Sequence, residues 1–264
     1  MIPFIESMKN AFDLSGKTAI VTGGNGGIGL GIAKALAESG ADIAILCRNM
    51  DKAKTALEEL GAYGGKYFAY SCDVTNLQSV HDAVESVCGY FGDIDILVNN
   101  SGISHGGKFL DMDPDFSVWD SVIGTDLTGM AHVTYAVGKS MRDAGKGGSI
   151  VNITSNAGAI VNKGVGLSIY AVAKAGANHF TRCMAVEFGE YDIRVNAIAP
   201  GFTNAGFGAD PPPSLIELVE DQQPLKRMGE AIEIGALAVY LASPAAAHVT
   251  GEVITVDGGY TLSC

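Results

Sequence analysis

The chain has 264 residues, of which 47% are hydrophobic and 17% are charged, and its formal net charge is −12. This apolar content is enough for a sheet buried on both faces, and it excludes an intrinsically disordered chain. The negative charge disfavours nucleic acids and anionic membrane surfaces as partners, because both would repel the protein.

The cysteines and histidines are scattered along the chain. Five cysteines include no Cys-x-x-Cys pair, and their odd number argues against a disulfide framework or a zinc cage. Five histidines include no His-x-x-x-His pair, so we expect no metal site. Residues 1–10 contain Pro3 and Glu6 and no long apolar run. We therefore expect neither a signal peptide nor a membrane anchor, and we predict a cytoplasmic protein.

Short runs rich in valine and isoleucine alternate with longer segments of helical period. The runs predict seven strands, at 18–21, 43–47, 67–70, 94–98, 150–153, 195–198 and 253–256. The helical segments lie at 28–39, 52–60, 77–90, 116–144, 168–188 and 231–241, and residues 201–213 have the composition of a surface loop. This alternation predicts a parallel, doubly wound α/β sheet with helices on both faces. Its length fits a single domain over residues 1–264, with residues 1–13 as an N-terminal extension.

The turn after the first predicted strand is rich in glycine and leads directly into a predicted helix. Glycines allow a tight turn and let phosphates approach the backbone N–H groups, while the helix dipole favours negative charge. A glycine-rich turn alone is weak evidence, but a strand before it and a helix after it favour a dinucleotide site. The predicted contacts are Thr22, Gly23, Asn25, Gly27, Ile28 and Gly29.

The ends of the second and third predicted strands bear on the choice of cofactor. Arg48 stands where an acidic residue would bind a ribose 2′-hydroxyl, and arginine suits a 2′-phosphate instead. We therefore predict NADP(H) rather than NAD(H) as the cofactor. The alternative is that Arg48 is only a solvated charge at the end of the strand. Asp73 and Val74 follow the third strand, and Asp73 either meets the adenine edge or caps the next helix with Thr75.

Three residues near the fifth strand form a candidate catalytic set. Ser155 follows the strand, and Tyr170 and Lys174 are four residues apart, so they share one face of the next predicted helix. Tyrosine is a weak acid, but an adjacent ammonium and a positively charged nicotinamide ring would stabilise its phenolate. Each residue alone is common. After the dinucleotide turn, the set favours proton transfer at a substrate oxygen held by Ser155.

Together these motifs resemble the short-chain dehydrogenase/reductase family from Leu14 onward. The resemblance rests on Thr22-Gly23-x-x-x-Gly27-x-Gly29, Asn99-Asn100-Ser101-Gly102, Ser155, Tyr170-x-x-x-Lys174, Pro200-Gly201 and Asp257-Gly258-Gly259. It implies that Tyr170 is the general acid or base, that Lys174 assists it and binds the nicotinamide ribose, and that Ser155 polarises the carbonyl. It also implies a homotetramer with helices 116–144 and 168–188 at one interface. Further cofactor contacts are then Asn100, Ser101, Gly102, Pro200, Gly201 and Thr203.

The sequence departs from the family pattern at three positions. Ser101 replaces an alanine, and Ala205 stands where a threonine often meets the nicotinamide amide, so Thr203 is the nearest hydroxyl. Asp126 stands where the family has a catalytic asparagine. A carboxylate there would pair with Lys174 and change the proton relay, unless it turns into solvent or caps a kink.

The resemblance implies an enzyme that interconverts a ketone and a secondary alcohol. The segments expected near the substrate, including a substrate loop at 201–226, favour a bulky apolar ketone such as a steroid or polycyclic metabolite. The apolar residues concerned are Ile103, Ile160, Val161, Val165, Leu167, Phe202 and Phe207. Polyol and sugar-acid dehydrogenases, a non-catalytic nucleotide-sensing relative, and a dehydratase or epimerase with a transiently used cofactor remain alternatives.

Overall fold

The main sheet is built from seven parallel strands. A computed structural model of the chain describes residues 8–161, 166–205 and 211–263. The strands of the main sheet are β1 (Thr18–Thr22), β2 (Asp42–Cys47), β3 (Tyr67–Ser71), β4 (Ile96–Asn99), β5 (Gly148–Ile153), β6 (Ile193–Pro200) and β9 (Val253–Val256). Their order is β3-β2-β1-β4-β5-β6-β9. This confirms the predicted seven-stranded, doubly wound sheet and the single α/β domain.

Helices cover both faces of the sheet. They are α1 (Gly27–Glu38), α2 (Met50–Leu60), α3 (Leu77–Phe91), α4 (Ser117–Ile123), α5 (Met130–Ala144), α6 (Ser168–Phe188), α7 (Pro213–Gln222) and α8 (Ala231–Ala242). One apolar cluster joins α1, α2 and α8 to the sheet, and the other joins α3, α5 and α6 to its opposite face. Because both faces are covered, consecutive residues such as Ile20 and Val21, which point to opposite faces, are both fully buried, in different clusters.

The predicted helix 116–144 is divided by a π-helical segment. Gly124–Gly129 forms this segment between α4 and α5, so one long helix carries a local widening. π-helical segments are rare in proteins, and those that do occur are often found at functional sites. It holds Asp126 and Gly129 in buried positions.

The segment after β6 differs from the predicted loop. Two residues, Thr203–Asn204 (β7), pair in parallel with Gly229–Glu230 (β8), which directly precede α8. Helix α7 begins at Pro213, where the fixed backbone of proline suits the first helical position. The predicted substrate loop at 201–226 therefore contains a helix of ten residues that the composition of the segment did not predict.

Helices α1 and α8 pack with very little space between their backbones. A Cβ added at Gly31 would lie 2.7 Å from the carbonyl carbon of Ala231, and one at Gly235 would lie 2.9 Å from the carbonyl oxygen of Gly31. Real side chains do not approach a backbone that closely. Glycines at these two positions let the helix that follows the glycine-rich turn lie directly on α8.

Across the described ranges, we find no helix with both the length and the hydropathy needed to cross a membrane.

Candidate active site

A cavity of about 680 Å³ lies at the carboxyl ends of the parallel strands. Its wall crosses the point between β1 and β4 where the strand order reverses, the usual ligand site of such sheets. Most of the predicted site residues lie on this wall. They are Gly23, Asn25, Gly27, Ile28, Arg48, Asp73, Val74, Asn100, Ser101, Gly102, Asp126, Ser155, Tyr170, Lys174, Pro200, Gly201 and Thr203.

The glycine-rich turn has the conformation that its sequence predicts. Gly23 and Gly27 have φ angles of 64° and 55°, a region that residues with a side chain rarely adopt. The Gly23 N–H donates to the carbonyl oxygen of Leu46 over 2.8 Å, which ties the turn to β2. A Cβ at Gly29 would lie 2.4 Å from the carbonyl oxygen of Gly23, so glycine is needed where the turn meets α1.

Thr22 and Gly29 support the turn and do not lie on the cavity wall. The buried hydroxyl of Thr22 accepts hydrogen bonds from the N–H groups of Asn100 (2.9 Å) and Ser101 (3.0 Å). In return, the Asn100 amide donates to the Thr22 carbonyl over 3.0 Å. Thr22 thus joins the two loops on either side of the switch point between β1 and β4.

One end of the cavity carries two basic side chains. Arg48 and Lys52 both lie on its wall and are exposed, and Lys52 is a basic residue of the site beyond those predicted from the sequence. Asn49 begins α2 and accepts a hydrogen bond from the Lys52 N–H, so the first turn of that helix faces the cavity. The Asn25 amide donates to the Asn49 carbonyl over 3.2 Å. The signal in the sequence for Lys52 is a second basic residue shortly after Arg48, at the start of the predicted helix 52–60.

Asp73 does not cap α3. Its carboxylate accepts hydrogen bonds from the N–H and the hydroxyl of Thr75, while Asn76 is the residue that caps the helix. The hydrogen bonds from Thr75 hold the pKa of Asp73 below its ordinary value. Asp73 is therefore an ionised group in a fixed position on the cavity wall.

Tyr170 and Lys174 project from the first two turns of α6 toward the cavity. Lys174 is 3% exposed, and its Nζ donates to the carbonyl oxygen of Ile153 over 3.1 Å. The same nitrogen lies 5.4 Å from the centre of the Tyr170 ring. Ser155, at the end of β5, accepts a hydrogen bond from the Ala157 N–H over 3.1 Å. The Ser155 hydroxyl itself donates to the Asn156 Oδ1 over a long 3.5 Å, a weak contact that a substrate oxygen at normal hydrogen-bond distance can replace.

Asp126 is fully buried beside Lys174. Its Oδ1 accepts a hydrogen bond from the Ile103 N–H over 2.8 Å, and its Oδ2 lies 3.1 Å from the Lys174 Nζ. Burial raises the pKa of Asp126, and the Lys174 ammonium and the Ile103 N–H offset part of this effect. The alternative in which Asp126 turns into solvent is therefore wrong.

The cavity wall also carries several apolar side chains near the candidate catalytic residues in sequence or in the fold. They are Ile103, Ala157, Leu167, Phe202, Leu215 and Met228, and Ser104 lies on the same wall. Of the residues predicted near the substrate, Ile160 and Val161 do not lie on the wall, and Val161 is 89% exposed. Val165 and Phe207 lie outside the described residues. Leu215 was missed because α7 was not predicted.

The shape and charge of this cavity fit a dinucleotide. The glycines leave backbone N–H groups open at the amino end of α1, and the two basic side chains lie at the β2 end. Three or more metal-ligating side chains do not come together anywhere in the described ranges. The arrangement can therefore bind a phosphorylated cofactor next to a tyrosine that can exchange a proton.

Comparison with known proteins gives consistent matches over nearly the whole chain. A family model described as Enoyl-(Acyl carrier protein) reductase matches residues 23–261. The NADP-dependent mannitol dehydrogenase of Alternaria alternata is 36% identical over an alignment of 265 positions, which covers 99% of this chain and 98% of that protein.

Solved structures match equally well. A short-chain type dehydrogenase/reductase from Mycobacterium marinum has a TM-score of 0.92 and 38% identity, and the match covers 97% of this chain and 99% of that one. A 7 alpha-hydroxysteroid dehydrogenase complexed with NADH and 7-oxo glycochenodeoxycholic acid has a TM-score of 0.89 and 34% identity, with coverage of 96% and 97%.

Proposed function

Because the chain belongs to the short-chain dehydrogenase/reductase family, we propose that it interconverts a ketone and a secondary alcohol with NADP(H) as cofactor. Its relatives include dehydrogenases that act on CH–OH groups, and solved relatives include complexes with NADP and with NADH. The observation that carries the proposal is the placement of Ser155, Tyr170 and Lys174 on the wall of the same cavity as the glycine-rich turn.

In the proposed mechanism, Tyr170 exchanges the proton and Ser155 holds the oxygen of the substrate. During reduction, the Tyr170 hydroxyl donates its proton to the carbonyl oxygen, and during oxidation the phenolate takes it back. The Ser155 hydroxyl donates a hydrogen bond to the same oxygen. Lys174 lies next to Tyr170, with its Nζ 5.4 Å from the centre of the ring. The bound cofactor supplies or accepts the hydride.

We propose a substrate with a bulky apolar body. The cavity that contains Tyr170 is also lined by Ile103, Leu167, Phe202, Leu215 and Met228, and apolar walls of this kind bind apolar ligands. The similar steroid dehydrogenase was solved with 7-oxo glycochenodeoxycholic acid, which has such a body. Phe202 and Leu215 also support the proposal that residues 201–226 contact the substrate.

A polyol or sugar acid is the second candidate, because a mannitol dehydrogenase is among the similar proteins. An NADPH-oxidation screen over steroid ketones, ketoses, keto-sugar acids and small ketones distinguishes the two. Highest kcat/KM on a steroid or polycyclic ketone is the expected result. A higher kcat/KM on a ketose would contradict the apolar substrate and support a polyol as the substrate. Cofactor binding without turnover on the whole panel would favour a non-catalytic relative.

We predict that Arg48→Ala weakens NADPH binding about tenfold or more and changes NADH binding little. A charge-assisted hydrogen bond to a 2′-phosphate contributes about 1.5 to 3 kcal/mol, and NADH lacks that group. Lys52→Ala should act in the same direction, since Lys52 lies on the same wall. Both cofactors would be titrated by fluorescence against each variant.

Lys54→Ala is the matched control for this prediction, because Lys54 is an exposed residue of α2 that does not line the cavity. It removes one positive charge from the same helix and should leave the binding of both cofactors unchanged. Equal or tighter NADH binding by the wild type would contradict the preference for NADP(H).

We also propose that the protein is a cytoplasmic homotetramer. Cys47, Cys72, Cys88 and Cys183 are free thiols, which is typical of a reducing compartment. Tyr135 on α5 and Val186 on α6 are 57% and 83% exposed, and apolar side chains of this kind suit an interface between subunits. Light scattering of the purified protein measures the mass directly, and a monomer at micromolar concentration would contradict the tetramer.

A further inference from the structure

Asp126 and Lys174 form a buried pair at the floor of the cavity. Their side chains are 0% and 4% exposed, and Oδ2 lies 3.1 Å from Nζ. Within the described residues, Oδ2 accepts no hydrogen bond of good geometry, so charge attraction is its main interaction with Lys174. A Cβ at Gly102 would lie 2.9 Å from Oδ2 and 3.3 Å from Nζ. Glycine at 102 therefore lets both groups reach the cavity.

Few other charges surround this pair. Lys174 is the charged group that lowers the pKa of Asp126, and Tyr170 is the other titratable group on that face of α6. From the loop after β4, the Ile103 N–H donates to Asp126. Asp73, from the loop after β3, directs its carboxylate to Thr75. Among the described side chains, Asp126 and Lys174 together therefore set the net charge next to Tyr170.

This arrangement bears on the direction in which Tyr170 exchanges its proton. A lone ammonium near a phenol favours the phenolate, since opposite charges attract in a poorly solvated site. An ammonium that already pairs with a carboxylate has much less effect, because the two charges largely cancel at the phenol oxygen. A neutral group in place of Asp126 would leave the charge of Lys174 uncancelled.

We propose that Asp126 is a positioning residue that neutralises Lys174 and so keeps Tyr170 protonated at neutral pH. This inference rests on the proposed function. Reduction of a ketone then starts with Tyr170 in the form that it needs: the carbonyl carbon receives hydride from NADPH, and the carbonyl oxygen receives the Tyr170 proton. NADPH is oxidised to NADP⁺, and the phenolate recovers a proton from water. Oxidation of an alcohol requires the phenolate at the start and is delayed to alkaline pH.

The test is the pH profile of alcohol oxidation in the wild type and in Asp126→Asn. Asparagine keeps the shape and can still accept the Ile103 N–H bond, but it removes the negative charge. The pH of half-maximal rate should fall by about one unit or more, the range expected when an uncancelled ammonium lies within about 6 Å of the titrating group. Superimposable profiles would overturn the proposal.

Asp120→Asn is the matched control. Asp120 is an exposed residue of α4, so this variant removes one negative charge from the same helix without contacting Lys174. Its profile should superimpose on that of the wild type. A shift equal to that of Asp126→Asn would mean that overall charge causes the effect, and it would contradict the proposal. If Asp126→Asn does not fold, Asp126→Ser provides a second neutral side chain for the same measurement.

A readout without turnover separates this inference from the proposed function. The tyrosinate absorbance of Tyr170 is the difference between the pH titrations of two proteins, one with Tyr170 and one with Tyr170→Phe. This difference is measured once in the wild-type background and once in the Asp126→Asn background. The Tyr170 signal should develop at lower pH in the Asp126→Asn protein. That shift in a protein without activity on any alcohol would support the inference and refute the proposed function. Turnover on an alcohol together with an unchanged Tyr170 titration would support the proposed function and refute the inference.

Discussion

Tyr170→Phe should lower turnover by about 10²-fold or more, while the affinity for NADPH stays close to that of the wild type. The substitution keeps the ring that packs beside Lys174 and removes only the hydroxyl that would exchange the proton. The loss should therefore fall on kcat and kcat/KM together, because the hydroxyl acts in the transition state. Steady-state kinetics on the best substrate of the screen and a cofactor titration measure both effects.

Two further variants make this prediction specific. Tyr63→Phe removes a hydroxyl from a partly exposed tyrosine that does not line the cavity, and it should retain full activity. Lys174→Ala should reduce both turnover and cofactor binding, since the family resemblance gives its ammonium a role in each. Turnover retained in Tyr170→Phe would assign the general acid to another group.

Gly29→Ala should destabilise the free protein by about 1 to 3 kcal/mol and weaken cofactor binding at least tenfold. The new Cβ would lie 2.4 Å from both the Gly23 carbonyl oxygen and the Asn100 amide nitrogen. The first of these is backbone in a tight turn, so it cannot move aside without displacing the phosphate-binding N–H groups. Urea unfolding without cofactor measures the stability, and NADPH titration measures the binding.

Gly61→Ala is the control for this change. Gly61 has helical φ and ψ angles of −53° and −21°, and an added Cβ would meet nothing within 4 Å. Alanine there should be neutral or slightly stabilising, because it reduces the freedom of the unfolded chain. An equal loss of stability in both variants would show that alanine in place of glycine, rather than crowding at the turn, causes the effect.

The sheet could be predicted from sequence because its strands are buried on both faces. Runs such as Ile43–Cys47 in β2 are apolar at every position, and the glycines between strand and helix mark where each run ends. The residues on the cavity wall could be predicted for a related reason. Many of them follow the end of a strand, and the ends of parallel strands meet at one edge of the sheet. Tyr170 and Lys174 lie on α6 instead and could be predicted from their spacing of four.

Other features depend on contacts between distant segments and leave a weak local signal. Strands β7 and β8 have two residues each, which is too short for a detectable period. Helix α7 begins within a proline run, and that run is typical of a loop. Lys52 contributes to the site only because the Asn49 cap turns the first turn of α2 toward the cavity. The burial of Asp126 depends on the π segment, and no residue pattern in Gly124–Gly129 specifies it.

The close packing of α1 on α8 also constrains the order in which the protein can fold. Gly31 lies against the backbone of Ala231, so the helix that follows the glycine-rich turn finds its partner surface near the other end of the chain. Contacts between segments so distant in sequence slow folding. During synthesis, the first strands can leave the ribosome long before residues 231–242 exist, and until then one apolar side of α1 stays in water. The nucleotide-binding half thus comes early in the sequence but completes its packing late. A truncated chain that ends before α8 should therefore bind chaperones rather than the cofactor.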